Sequence, residues 1–262
     1  MDVKDTVVVV TGGASGIGAA LVRRFHADGA RHVVVVDRNL EAATEVAREV
    51  GGVPEQVDVA DAAAVAALVE RTVAREGRLD VFCSNAGITT GVELDDPDDL
   101  WHRALEVNLM AHVYAARAVV PVMLKQGRGY LVNTASAAGL LISPGDAPYT
   151  VSKHAAVGFA EHLAVTYGDR GIGVSVVCPL GVDTPLLMDP LAAGDRGAAA
   201  VAASGTIVTA EAVADAVLAA MAQDRFLVLP HPEVGTFWAQ KASDPDRWLR
   251  GLRRLVASQQ QP

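Results

Sequence analysis

The chain has 262 residues and a mass of 27.2 kDa; 51% of its residues are hydrophobic, 20% are charged, and the formal net charge is −9. A mean hydropathy of +0.27 with only 5% aromatics points to an apolar content built mainly from Ala, Val and Leu, which excludes a disordered chain. Net negative charge argues against nucleic acid as a partner, because phosphate contacts need clustered Lys and Arg.

Taken in chain order, short β-branched runs alternate with Ala-rich segments of helical period. The runs predict strands at 6–10, 32–37, 53–57, 79–84, 130–134, 173–178 and 226–229. Helices are predicted between them at 18–28, 40–50, 62–76, 99–126, 147–169 and 210–222. Several strands, such as Val7 to Val10 and Val33 to Val36, are apolar throughout rather than alternating. That is expected where helices cover both faces of a parallel sheet. The alternation predicts an α/β, Rossmann-type doubly wound sheet of about seven strands, in a single domain spanning 1–262. Residues 185–205 read as a substrate lid and 231–262 as a C-terminal extension.

No membrane association is expected. No stretch approaches the ~20 uninterrupted apolar residues a spanning helix needs; long suspects such as 192–208 are broken by Gly194, Asp195 and Arg196. Asp2, Lys4 and Asp5 precede the first valine run, unlike the basic flank of a signal segment. Two cysteines, Cys83 and Cys178, read as core residues and fit a cytoplasmic location.

The first strand ends in Thr11-Gly12-Gly13-Ala14-Ser15-Gly16-Ile17-Gly18, and a helix follows at once. Glycines let a ligand approach the backbone, and a helix N-terminus offers bare N–H groups to a pyrophosphate. Asp37 ends the second strand, 19 residues past Gly18, where a carboxylate would bind the ribose hydroxyls of a dinucleotide. It would accept hydrogen bonds from NAD and repel the 2′-phosphate of NADP, so NAD is the expected cofactor. Arg38 beside it works the other way, because an Arg pairs with that phosphate.

Tyr149 and Lys153 lie four apart at the start of a helix, which puts phenol and ammonium on one face. An adjacent ammonium favours the phenolate and so should lower a Tyr pKa from ~10. Ser136 follows the fifth strand and Asn85-Ala86-Gly87 follows the fourth, both at the edge where open α/β sheets bind ligands. The Asp95-Asp96-Pro97-Asp98-Asp99 run reads as a turn entering a helix, His231-Pro232-Glu233 lacks a third metal ligand, and no metal is expected.

In these motifs the chain resembles the short-chain dehydrogenase/reductase family over residues from about 5 to 185. The resemblance rests on the glycine turn, on Asp58-Val59 and Asn85-Ala86-Gly87, and on Ser136 placed 13 residues before Tyr149. It implies a catalytic tetrad of Asn108, Ser136, Tyr149 and Lys153. It also implies cofactor contacts from Gly12, Ser15, Gly16, Ile17, Gly18, Asp37, Arg38, Asp58, Val59, Asn85, Ala86, Gly87, Tyr149, Lys153, Pro179, Val182 and Thr184. Tyr149 would be the general acid or base of a hydride transfer between nicotinamide and a carbinol carbon, with Ser136 polarising the substrate oxygen. Lys153 would lower the Tyr149 pKa and hold the nicotinamide ribose, and Asn108 would anchor a water in the proton path.

The chain departs from the family at Pro179-Leu180-Gly181-Val182-Asp183-Thr184, where Leu180 replaces the usual Gly, and in its C-terminal stretch. A pocket of 89–94, 140–142, 186–188 and the Ala-rich segment beyond is mostly apolar, which favours a hydrophobic secondary alcohol or ketone. Two alternatives remain open: an NADP-dependent β-ketoacyl or other ketone reductase, and a non-enzymatic NAD-binding redox sensor. Family habit implies a homotetramer through the helices at 99–126 and 147–169, with a homodimer next.

Overall fold

The computed structural model describes residues 1–94 and 97–259. Strands β1 (Val7–Thr11), β2 (His32–Asp37), β3 (Val53–Gln56), β4 (Val81–Ser84), β5 (Gly129–Thr134) and β6 (Ile172–Val177) belong to one parallel sheet. Two further strands, β7 (Val182–Asp183) and β8 (Val208–Thr209), form a separate short parallel ladder. The last strand, β9 (Leu227–Val228), completes a seven-stranded sheet of order β3-β2-β1-β4-β5-β6-β9. This is the expected Rossmann-type fold.

Strand alternation explains the continuous valine runs. Val8, Val10, Val33 and Val35 face one core layer with Leu21, Val22 and Phe25 of α1 (Gly16–Ala27) and Val46 of α2 (Leu40–Glu49). Val7, Val9, Val34 and Val36 face the other, with Val65 and Leu68 of α3 (Ala62–Glu76). Both faces are sealed, so each residue of these strands gains from being apolar, at roughly 25 cal/mol per Å² removed from water.

The expected helix at 99–126 is continuous but not uniform. It consists of α4 (Asp98–Leu105), a π-helical turn over Glu106–Met110 and α5 (Ala111–Gln126). By length and composition Asp98–Gln126 would pass for a membrane-spanning helix, but half of its most apolar window is buried in the fold. It is followed by α6 (Ala147–Tyr167), which packs against the π turn. Asp95 and Asp96 of the acidic run lie outside the described residues, while Asp98 and Asp99 occupy the first turn of α4.

The lid segment folds as α7 (Pro185–Ala192) and α8 (Arg196–Ala203), and α9 (Ala210–Ala222) returns to the first core layer. The C-terminal extension forms α10 (Pro232–Ser243) and α11 (Pro245–Gln259). It is joined to the second core layer through Phe237 and Trp248, whose rings meet at 6.2 Å.

Candidate active site

The strand order reverses between β1 and β4, and a crevice opens there beyond their C-terminal ends. Both expected motifs flank it. After β1, Gly12 (φ +63°) and Gly16 (φ +49°) take left-handed conformations that let the chain turn sharply into α1. Space is as strict as conformation. A Cβ on Gly18 would stand 1.9 Å from the Gly12 carbonyl oxygen, and one on Gly12 would stand 2.9 Å from Ala86 Cα. Ser15 is exposed and its side chain caps nothing, and a helix start leaves the first amides without intrahelical acceptors.

After β4, Asn85 stitches the two motifs together. Its Nδ2 donates to the Thr11 carbonyl at 3.1 Å, and its backbone N–H donates to Thr11 Oγ1 at 2.9 Å. Thr134 Oγ1 in turn donates to Asn85 Oδ1 at 3.1 Å, so β1, β4 and β5 share one network.

The groups assigned to the adenosine end lie along the same rim. Asp37 accepts from the amides of Ala14 (3.3 Å) and Asn39 (3.1 Å) at the end of β2. Asp58 sits with its carboxyl held below the usual range, first by the Ala60 amide, then by Arg103, with Arg38 adding charge. Arg38 is exposed. Val59 is buried against Val107 and Ala111, with Ala86 packed on the cluster.

Ser136, Tyr149 and Lys153 converge at the other end. Ser136 leaves β5 in extended conformation and accepts from the Ala138 amide at 3.1 Å. Its side chain also reaches the Tyr149 hydroxyl. Lys153, 3% exposed, donates to the Thr134 carbonyl at 3.0 Å and lies 5.6 Å from the centre of the Tyr149 ring. Burial pushes the Lys153 pKa down to about 8.

The expected lowering of the Tyr149 pKa is overturned. Tyr149 is half-buried by area, yet the protein around its hydroxyl desolvates the phenolate and pushes the pKa up to about 12. The Ser136 hydrogen bond opposes the rise and the Asp146 charge adds to it. Desolvation is the largest cause: the phenolate would lose more by leaving water than the Ser136 hydrogen bond returns.

Asn108 sits in the middle of the π turn, wholly buried. Its amide accepts from the Ile88 N–H and donates to the Ile88 carbonyl, each at 2.9 Å, and donates to Ser152 Oγ at 3.1 Å. A Cβ on Gly87 would come 3.3 Å from both Asn108 Oδ1 and Lys153 Nζ, so the glycine keeps space between them.

The loop after β6 carries the remaining assigned residues. The Pro179 carbonyl accepts from the Ala137 amide at 2.7 Å, Val182 lies in β7, and the Thr184 methyl stands 3.0 Å from where a Gly16 Cβ would be. Residue reasoning missed what holds this loop. His231, 1% exposed, accepts from the Leu180 N–H through Nδ1 at 3.1 Å. Its Nε2 donates to the carbonyls of Gly181 (3.0 Å) and Thr206 (3.1 Å). Both ring nitrogens are engaged, and among the described residues no three His, Cys, Asp or Glu side chains gather as a metal site. The expected pocket is also revised: Leu140 and Leu141 are drawn into the core, while Ile142, Leu186 and Met188 stay 38%, 44% and 36% exposed.

A switch-point crevice with a glycine-lined helix start and a Ser–Tyr–Lys cluster defines a dinucleotide-dependent class of α/β protein. The short chain dehydrogenase family model matches residues 6–193, and the chain belongs to the short-chain dehydrogenase/reductase family. It is 36% identical over 257 residues to the 1-deoxy-11-beta-hydroxypentalenate dehydrogenase of Streptomyces avermitilis, covering 95% of this chain and 93% of that one. It is 35% identical over 201 residues to 3beta-hydroxysteroid dehydrogenase 2 of Eggerthella lenta, covering 73% and 76%. A short-chain dehydrogenase/reductase of Burkholderia phymatum, solved in complex with NAD, superposes with a TM-score of 0.86 at 27% identity, over 94% of this chain and 96% of that one. The family and these relatives make the chain an oxidoreductase of hydroxyl or keto groups with a nicotinamide cofactor.

Proposed function

We propose that the chain is an NAD-dependent dehydrogenase that interconverts a hydrophobic secondary alcohol and its ketone. The observation that carries this reading is the meeting of Ser136, Tyr149 and Lys153 beside Gly87, at the end of a glycine-lined crevice. In oxidation Tyr149 takes the hydroxyl proton of the substrate; in reduction it returns it. Ser136 donates a hydrogen bond to the substrate oxygen, where charge develops. Lys153 offers a nearby ammonium to the phenolate, and Asn108 behind it anchors the proton path.

The cradle fits a dinucleotide in its backbone: positive φ at Gly12 and Gly16, and Gly18 packed against the Gly12 carbonyl, bring the turn sharply into α1, whose first amides lack intrahelical acceptors. The turn from Gly12 to Gly18, with Ser15 and Ile17, would hold the diphosphate. Asp37, with Arg38 alongside, would hold the adenosine ribose, Asp58 and Val59 the adenine, and Asn85, Ala86 and Gly87 the middle of the molecule. Tyr149 and Lys153 would hold the nicotinamide ribose, and Pro179, Val182 and Thr184 the carboxamide. When bound, an oxidised nicotinamide supplies the hydride acceptor and a positive charge.

NAD is favoured over NADP by the carboxylate of Asp37 and by Arg38 lying close enough to Asp58 to be drawn toward it. A hydrophobic substrate is favoured by exposed Ile142, Leu186 and Met188 on the segments that follow Ser136 and Thr184. The hydroxysteroid and hydroxypentalenate dehydrogenases among the relatives support the same substrate class. A subunit contact through α6, as in the expected homotetramer, is supported by Val151 and Val165, 47% and 86% exposed. Light scattering would measure it.

The test is an absorbance assay for reduced nicotinamide, with NAD and NADP each offered against alicyclic, aryl and steroid alcohols. Turnover with NAD on a bulky neutral alcohol is expected, and Asp37→Ser should narrow the preference for NAD. Turnover with NADP alone would overturn the cofactor assignment. Dinucleotide binding without turnover on any alcohol or ketone would favour a sensor.

A further inference from the structure

The N-cap of the helix that carries Tyr149 does more than start the helix. Asp146 is 6% exposed, and its carboxylate accepts four hydrogen bonds. Oδ1 takes the Tyr149 N–H at 3.0 Å, the bond that caps α6, and the Thr90 hydroxyl at 2.6 Å. Oδ2 takes the backbone N–H groups of Thr90 (2.7 Å) and Gly91 (2.9 Å). A fifth bond runs alongside, from the Ala147 N–H to the Val92 carbonyl at 3.1 Å.

A cap requires only one acceptor oxygen. The other three bonds reach 55 and 56 residues back, to the loop that follows Asn85-Ala86-Gly87. That loop needs an outside anchor, since residues 85–94 form neither helix nor strand. Gly91 takes φ +64°, and the loop borders the lid: Asp195 Oδ2 stands 4.0 Å from where a Gly91 Cβ would be. The lid also rests on the residues before Asp146, because a Cβ on Gly197 would lie 3.3 Å from the Pro144 carbonyl. One buried carboxylate therefore joins the loop to the first turn of α6, with the lid close beside both.

We propose that Asp146 is a positioning residue, one that locks the 88–92 loop to the first turn of α6 and so sets the pocket wall relative to the Tyr149 hydroxyl. The inference rests on the dehydrogenase reading for its consequence, not for the clamp itself. Bonds from N–H donors to a buried carboxylate are charge-assisted and short, so the loop is held in one register. Substrate affinity then depends on a residue that touches no substrate.

Two variants separate cap from clamp. Asp146→Ser keeps an acceptor for the Tyr149 N–H but cannot span to the loop; Thr90→Val removes one clamp bond and leaves the cap intact. Hydrogen exchange of the full-length protein reads the clamp directly. In Asp146→Ser the amides of Thr90 and Gly91 should lose protection at least about tenfold, while those of α6 beyond its first turn keep theirs. With an alcohol turned over by the unaltered enzyme, substrate KM should rise about tenfold in Asp146→Ser and less in Thr90→Val. The KM for NAD should stay within about threefold in both variants, as should kcat at saturation in Thr90→Val, which keeps the Asp146 charge beside Tyr149. Unchanged protection at Thr90 and Gly91 would overturn the clamp. Lost protection with unchanged substrate KM would overturn the positioning role, as would a uniform fall in kcat, both KM terms and melting temperature. Failure of the unaltered protein to turn over any alcohol would count against the dehydrogenase reading, and exchange would still decide the clamp.

Discussion

Lys153 holds its ammonium 5.6 Å from the centre of the Tyr149 ring while donating to the Thr134 carbonyl at 3.0 Å. The cation is thus fixed by the backbone of β5 rather than by the phenol. Its pKa of about 8 and the Tyr149 value of about 12 describe a pair in which burial opposes both charges. Forming the phenolate therefore depends on charge and hydrogen bonds arriving with the ligands.

Replacing Tyr149 by Phe removes the hydroxyl and leaves the ring. Turnover should fall by about 10²–10⁴-fold, the range for one acid–base group. Dinucleotide affinity, followed by fluorescence titration, should change less than about threefold. Loss of binding in step with turnover would assign Tyr149 a structural role instead.

Lys153 should leave a mark on stability. Its folded pKa lies near 8 against an ordinary value of 10.5. Between those values the unfolded chain keeps a proton that the folded chain has released, so raising the pH through this window favours folding. Tyr149 acts oppositely above its ordinary value of 10, as do the buried thiols of Cys83 and Cys178, both pushed upward by burial. The expected signal is thus a difference: the stability of the native protein minus that of Lys153→Met should rise between pH 8 and about 10.5. Urea titrations at several pH values measure it, and a flat difference would refute the burial of a charged Lys153.

Gly18→Ala would place a methyl 1.9 Å from the Gly12 carbonyl oxygen. Both partners are backbone, so the turn must open. An overpacking cost of ~1–3 kcal/mol corresponds to a melting temperature lower by about 2–10 °C, with dinucleotide binding weakened more than stability. Calorimetry and titration on the same sample check both.

His231→Ala should free the loop of Leu180 and Gly181. It would leave the Leu180 N–H and the Thr206 carbonyl without a partner, at ~1–3 kcal/mol for each that water cannot reach, while the Gly181 carbonyl keeps the Val208 N–H. A lower urea midpoint together with a higher KM for NAD is expected. A lower midpoint alone would confine His231 to the core.

These variants also show what was legible in the chain. The glycine turn and the Tyr149–Lys153 pair were readable because their partners lie within a few residues, where helical spacing dictates geometry. Asp146 was not read from the sequence, since three of its four bonds go to residues 55 and 56 positions away. His231 was read as a metal ligand short of companions, because its partners at 180, 181 and 206 come together only through β9 and the lid. The lid was legible as a segment, but not its division into α7 and α8, which are separated by a short turn through Gly194 at φ +80°. Nor does a π turn announce itself, for its five residues are ordinary helix formers.

That turn has a consequence for how the chain tolerates change. A π turn holds one residue more than the α-helical turn it replaces. Removing any single residue between 106 and 110 would let the helix run on regularly, which locally is the easier conformation. Because the extra residue is taken up within that one turn, α5 would keep nearly the same side toward β4 and α3. What changes is the turn itself: Asn108 would leave Ile88 and Ser152. A shortened segment would thus keep the packing of the helix and lose the placement of the buried amide, so the additional residue serves the site rather than the fold.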